Sequence, residues 1–163
     1  MGDLTGDAQL IFGALLVWYV PYLFFCIISR LSHTSTQIFE LLTAEYLFDP
    51  QSQGEIFSKD DDHMAQIIEL LGDFPVDVKM GGKYSREIFD STGALRYIKS
   101  LKPWPLKRVM MEKYLFTEKD AQSLCSFLEP MLKCDFRIRA TAEEMVVHEW
   151  LDSVDEVPDG ECL

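Results

Sequence analysis

At 163 residues the chain holds one domain or part of one, long enough to bury a sizeable core. Its 27 acidic residues outnumber 15 basic ones, for a formal net charge of −12. That balance excludes sequence-independent nucleic-acid binding, which needs Lys and Arg on phosphates, and suits a basic protein or peptide partner. With 48% hydrophobic and 12% aromatic residues, it is also too apolar for wholesale disorder.

The first 37 residues are atypical. Leu10 to Ile28, "LIFGALLVWYVPYLFFCII", is a run without one charged residue, and about 20 apolar residues suffice to span a bilayer core. Against an anchor, Trp18, Tyr19, Pro21 and Tyr22 lie in its middle, where an aromatic belt would put rings at the ends. The preceding "MGDLTGDAQ" is acidic, unlike the start of a signal peptide. A membrane span through Leu10–Ile28, a buried helix and mistranslated non-coding sequence all remain open at this point.

From residue 38 the chain reads as an ordinary acidic, mainly α domain. "QIFELLTAEYLF" has helical periodicity and breaks at "DPQSQG". Ser58 to Asp62 supplies N-terminal capping chemistry, followed by an apolar stripe of Met64, Ile67, Ile68 and Leu71 that stops at Gly72. The "DDDH" at its start is expected to be cap and dipole chemistry, and His63 structural or solvated. Residues 73–105 are punctuated by Pro75, Gly81-Gly82 and Pro103-Trp104-Pro105, so an irregular stretch is expected. Leu106 to Tyr114 reads as a short helix. "TEKD" (117–120) is a capping box opening a helix with Ala121, Leu124, Cys125, Leu128, Met131 and Leu132 inward. "TAEE" (141–144) is a second, leading to Met145, Val146 and Trp150. No strand alternation appears, and residues 153–163 form an acidic tail.

Catalytic constellations are missing from the sequence. There is no G-x-G-x-x-G, no P-loop around Gly81-Gly82-Lys83 and no G-x-S-x-G elbow. Asp73-Phe74-Pro75 is a decoy for a kinase D-F-G. His33, His63 and His148 are scattered, and Cys26, Cys125, Cys134 and Cys162 form no C-x-x-C pair. Reduced thiols, no metal site and no catalytic residue are therefore expected.

Several segments carry a resemblance: "FELLTAEYLFDP", "DDDHMAQIIELLG", "GKYSREIFDSTGALRYIKSLKPWPL", "VMMEKY", "FLEPML" and "RATAEEMVVHEWL". Over residues 38–152 the chain resembles the C-terminal lobe of protein kinases, and more narrowly the SR-protein kinases, which phosphorylate Arg/Ser-rich splicing and RNA-binding proteins. The resemblance implies a partial kinase C-lobe that lacks the N-lobe and catalytic segments. The Gly-rich loop, strand Lys, H-R-D, D-F-G and A-P-E motifs of the family do not occur here. Where the family has a D-x-W signature, this chain reads "CIISRLSHTSTQ". An N-terminal truncation, by intron read-through or a wrong start, is the expectation this raises, and it disfavours the membrane anchor. The complete family enzyme takes ATP and Mg2+; this chain is expected to hold neither and to be inactive alone. Cytoplasmic and nuclear localisation follows from the resemblance, a membrane-anchored protein with a cytosolic C-terminal part being the alternative.

The resemblance also implies a docking groove for Arg-rich substrate segments, at Glu45, Asp62, Glu69 and Lys113, with Glu45 where the family commonly has Asp. Asp62 and Glu69 are seven residues apart, hence about 10.5 Å along one helix face. Carboxylates so placed suit bidentate arginine forks. Arg139 matches the family's partner of the A-P-E Glu, absent here, so an exposed or mispaired charge is expected. Trp104, in "LKPW", and Trp150, in "HEWL", are expected to be structural.

Overall fold

A computed structural model describes residues 30–152. Leu10–Ile28, Cys26, Cys162 and the acidic tail lie outside the described residues. Helix α1 spans Arg30–Thr43, α2 Lys59–Leu71, α3 Val76–Lys79, α4 Ser85–Ile88, α5 Leu106–Glu112, α6 Glu118–Leu132, α7 Ala142–Met145 and α8 Glu149–Asp152. Among the described residues the only β pairing is an isolated bridge between Phe89 and Leu95. The mainly α expectation holds, and α1 begins inside the segment separated at residue 37 on composition.

The central element is α6. Thr117 caps it by accepting from Asp120 N, and its inward row is buried as expected: Ala121, Leu124, Cys125, Leu128, Met131 and Leu132, with Phe127 added. Helices α1 and α5 pack across it, and α8 covers its other side. Phe39 from α1 and Leu106 and Met110 from α5 complete this cluster, all at most 2% exposed. Burying one such side chain contributes roughly 1.5–3 kcal/mol. Trp150 stacks on Phe127 with ring centroids 4.8 Å apart.

A smaller cluster gathers Met64 and Ala65 of α2 with Phe89 and Leu95. The irregular 73–105 stretch is held by Lys79, which is 4% exposed. Its Nζ donates to Gly93 O at 2.8 Å, pairs with Asp73 at 2.6 Å and sits 5.4 Å from the centroids of Phe74 and Phe89. Gly93 has φ +81°, and a Cβ there would meet Val76 at 3.0 Å, so only glycine suits this turn.

One boundary differs from the sequence expectation. The helix period of "QIFELLTAEYLF" breaks at Thr43, because Ala44 takes φ 58° and residues 44–48 leave the helix. Thr43 Oγ1 donates back to Phe39 O at 2.8 Å and accepts from Glu45 N at 3.3 Å, closing the helix end. No described helix is long and apolar enough to cross a membrane.

Candidate functional site

The departure of the chain after Thr43 creates a groove. Residues 45–49 run past α2, and α5 closes the far side, around a cavity of about 400 Å3. Its polar lining is Glu45, Asp49, Gln66, Glu69 and Lys113, with Tyr46, Trp104 and Tyr114 as aromatic walls.

Glu45 is exposed and tied to α5: Lys113 Nζ donates to its Oε2 at 2.5 Å and Tyr114 Oη at 3.1 Å. The Lys113 ammonium, then the Tyr114 hydroxyl, hold the Glu45 carboxyl below its ordinary range. In return, Glu45 above all holds the Lys113 ammonium above its own. Glu69 projects from α2, and its Oε1 accepts from Lys102 N at 2.7 Å. Glu69 O accepts from Trp104 N at 2.9 Å, and the Trp104 indole donates to Glu112 at 2.8 Å. Those bonds fix the "LKPW" segment against α2, so Trp104 is both structural and part of the groove.

Asp62 does not line the cavity itself. It sits one turn before Gln66 on α2, and its Oδ2 accepts from Gln51 N and Gln66 Nε2, both at 2.8 Å. Gln66 Oε1 in turn accepts from Asp49 N at 3.2 Å. Asp62 therefore clamps the 49–51 arm to the helix. Glu45, Glu69 and Lys113 are brought together, and Asp62 stands beside them.

The start of α2 is a full capping box. Ser58 Oγ accepts from Asp61 N at 3.3 Å, while Asp61 Oδ2 accepts from Ser58 N at 2.9 Å and Ser58 Oγ at 2.7 Å. Asp60 lies in a separate cavity with Arg86, Glu87 and Arg96. Burial, then the charges of Asp61 and Glu87, push its carboxyl up. His63 packs its ring 5.3 Å from Phe48, and burial pushes its imidazole down against the opposing pull of Asp62.

Arg139 is half-buried and not stranded: Nε donates to Lys133 O at 2.6 Å and Nη2 to Cys134 O at 3.2 Å. Its guanidinium is thus held by backbone carbonyls. Tyr46, Asp49, Gln66 and Tyr114 are groove residues that sequence reasoning missed. The signal available for Tyr46 and Asp49 was their place in "EYLFDP", next to Glu45.

Among the described residues no cluster of three or more His, Cys, Asp or Glu side chains could hold a metal ion.

Comparison with known proteins supplies the context for this groove. The chain is 50% identical over 118 residues, 72% of its length, to "Serine/threonine-protein kinase SKY1" of Saccharomyces cerevisiae. It is 50% identical over 117 residues to "Protein kinase dsk1" of Schizosaccharomyces pombe, and 45% identical over 119 residues to human "SRSF protein kinase 3". It spans only 16% of the first relative's length and 21% of each of the other two. No protein-family model matches the chain.

Proposed function

We propose, from the premise that the chain belongs to the SR-protein kinase family over its matched residues, that it is the substrate-docking part of a serine/threonine kinase. Its groove binds Arg-rich segments of Arg/Ser-rich proteins. The observation that carries this reading is the convergence of Glu45, Asp49 and Glu69 on one cavity within a chain of net charge −12.

An extended Arg-rich segment lays its guanidinium groups against these carboxylates. Long-range attraction steers the segment in, and salt screening over roughly 10 Å at 0.1 M weakens it. Lys113 already neutralises Glu45, so an arriving arginine exchanges with an internal cation at that position. Phosphoryl transfer belongs to the complete kinase. No step of it is assigned to the residues of this chain.

Titrating the full chain with a fluorescent Arg-Ser repeat peptide at 25 mM and 300 mM salt tests the reading. Saturable binding is expected at low salt, weakened at high salt and by the double variant Glu45→Gln, Glu69→Gln. Absence of binding at low salt, or binding indifferent to both substitutions, refutes it.

A further inference from the structure

Not every carboxylate at the groove keeps both oxygens open to a guanidinium fork. Glu45 commits Oε2 to Lys113 and Tyr114, and Glu69 commits Oε1 to Lys102 N. Asp62 commits Oδ2 to Gln51 and Gln66, and Asp49 commits Oδ1 to Gln51 Nε2 at 3.0 Å. A parallel fork to guanidinium uses both oxygens of one carboxylate. Glu45 Oε2 and Asp62 Oδ2 each already accept two hydrogen bonds, so at these two carboxylates only the other oxygen is fully open and accepts as readily from an ammonium, whereas Glu69 and Asp49 keep a free lone pair on each oxygen. Of the two carboxylates whose spacing suits bidentate arginine forks, Asp62 and Glu69, the first is therefore obstructed.

What the groove adds is planar aromatic surface. Tyr46 is 70% exposed, yet it lines the cavity beside Glu45. Nothing in the fold accounts for its exposure. It belongs to neither buried cluster, and its hydroxyl makes no hydrogen bond among the described residues. Its backbone is nonetheless held on both sides. Glu45 is fixed to α5 through Lys113, and Asp49 is fixed to α2 through Gln66. The ring is thus presented from a fixed base, which lowers the ordering cost of stacking on it.

We infer that Tyr46 selects arginine over lysine in the docking segment, by stacking its ring on a guanidinium whose charge the neighbouring carboxylates neutralise. Guanidinium is planar and weakly hydrated, so it lies flat on an aromatic face; ammonium is compact and strongly hydrated. The inference rests on the docking reading above and adds the residue that sets its preference for arginine over lysine.

The test uses the full chain and two labelled peptides of equal length, an Arg-Ser repeat and a Lys-Ser repeat, at one low salt concentration. The unsubstituted chain is expected to bind the Arg peptide several-fold tighter. Tyr46→Phe keeps that ratio. Tyr46→Leu weakens the Arg peptide about two- to fivefold and leaves the Lys peptide nearly unchanged, the size of an exposed cation–π contact. Circular dichroism confirms that the variants are folded. An unchanged Arg-to-Lys ratio in folded Tyr46→Leu, or no preference in the unsubstituted chain, overturns the inference while docking stands. Failure of both peptides to bind the unsubstituted chain refutes the docking reading, and this inference with it.

Discussion

Asp62 offers a way to separate what the groove needs for its shape from what it needs for its charge. Asp62→Ala removes the acceptor for Gln51 N and for Gln66 Nε2, both at 2.8 Å. It thereby also loosens the Gln66 contact that seats Asp49. Hydrogen bonds to a charged acceptor contribute about 1.5–3 kcal/mol each when buried, and neutral ones about 0.5–1.5. This site is open to solvent, so the lower figure applies and the pair together contributes about 1–3 kcal/mol. At roughly 4 °C per kcal/mol for a domain of this size, Asp62→Ala lowers the melting temperature by about 4–12 °C. Asp62→Asn keeps an oxygen for both donors and removes the charge. It should melt within about 3 °C of the unsubstituted chain and yet bind an Arg-Ser peptide about two- to fivefold more weakly. Thermal unfolding followed by circular dichroism, with peptide titration below the transition, reads both effects. If Asp62→Asn melts as low as Asp62→Ala, the clamp does not rest on the acceptor geometry. If Asp62→Asn binds the peptide undiminished, the Asp62 charge has no part in docking.

Three further outcomes are expected. Lys113→Met removes the internal cation from Glu45 and should tighten Arg-Ser peptide binding by up to about fivefold, the scale of an exposed ion pair; weaker binding would show Lys113 to contact the ligand itself. Burial pushes the His63 imidazole down, so on acidification the unfolded chain takes up its proton before the folded one. Its contribution to stability is fully present above about pH 6.5 and is lost as pH falls below it. The drop in urea midpoint from pH 7.5 to pH 5.5 should accordingly be smaller in His63→Gln, and an equal drop would refute this. Burial, with a minor push from Glu129, lifts the Cys125 thiol to about 12. Iodoacetamide at pH 8 should spare it in the folded chain and alkylate it in urea, as mass spectrometry of its peptide would report.

What the sequence made legible was local chemistry. Ser58 and Gly72 bracket α2, Thr117 opens α6 and Thr141 opens α7, because capping depends on side chains three residues away. The inward row of α6 followed from period alone. The end of α1 did not. "AEYLF" continues the helical spacing, and what pulls it out of the helix is remote: Lys113 lies 68 residues from Glu45, and Gln66 lies 17 from Asp49. The same reason hid half of the groove lining. Glu45, Glu69 and Lys113 were found through family resemblance, whereas Tyr46, Asp49 and Gln66 are recognisable only once the arm is seen against α2. Lys79 was equally opaque, since a lysine 4% exposed takes its meaning from Gly93, fourteen residues away.

The triplet Asp60-Asp61-Asp62 shows why charge density in a sequence is a weak guide to an electrostatic site. Successive residues on a helix point about 100° apart, so three adjacent carboxylates cannot share one face. Asp60 turns into the cavity of Arg86 and Arg96, where burial and its acidic neighbours raise its carboxyl. Asp61 is 5% exposed and spent on the Ser58 cap. Asp62 alone turns toward the 49–51 arm. The carboxylates that line the cavity itself are Glu45, Asp49 and Glu69, carried by two separate stretches of chain, the 45–49 arm and α2. A ligand reading that surface is reading tertiary structure, so loosening the arm should impair docking even with every carboxylate intact.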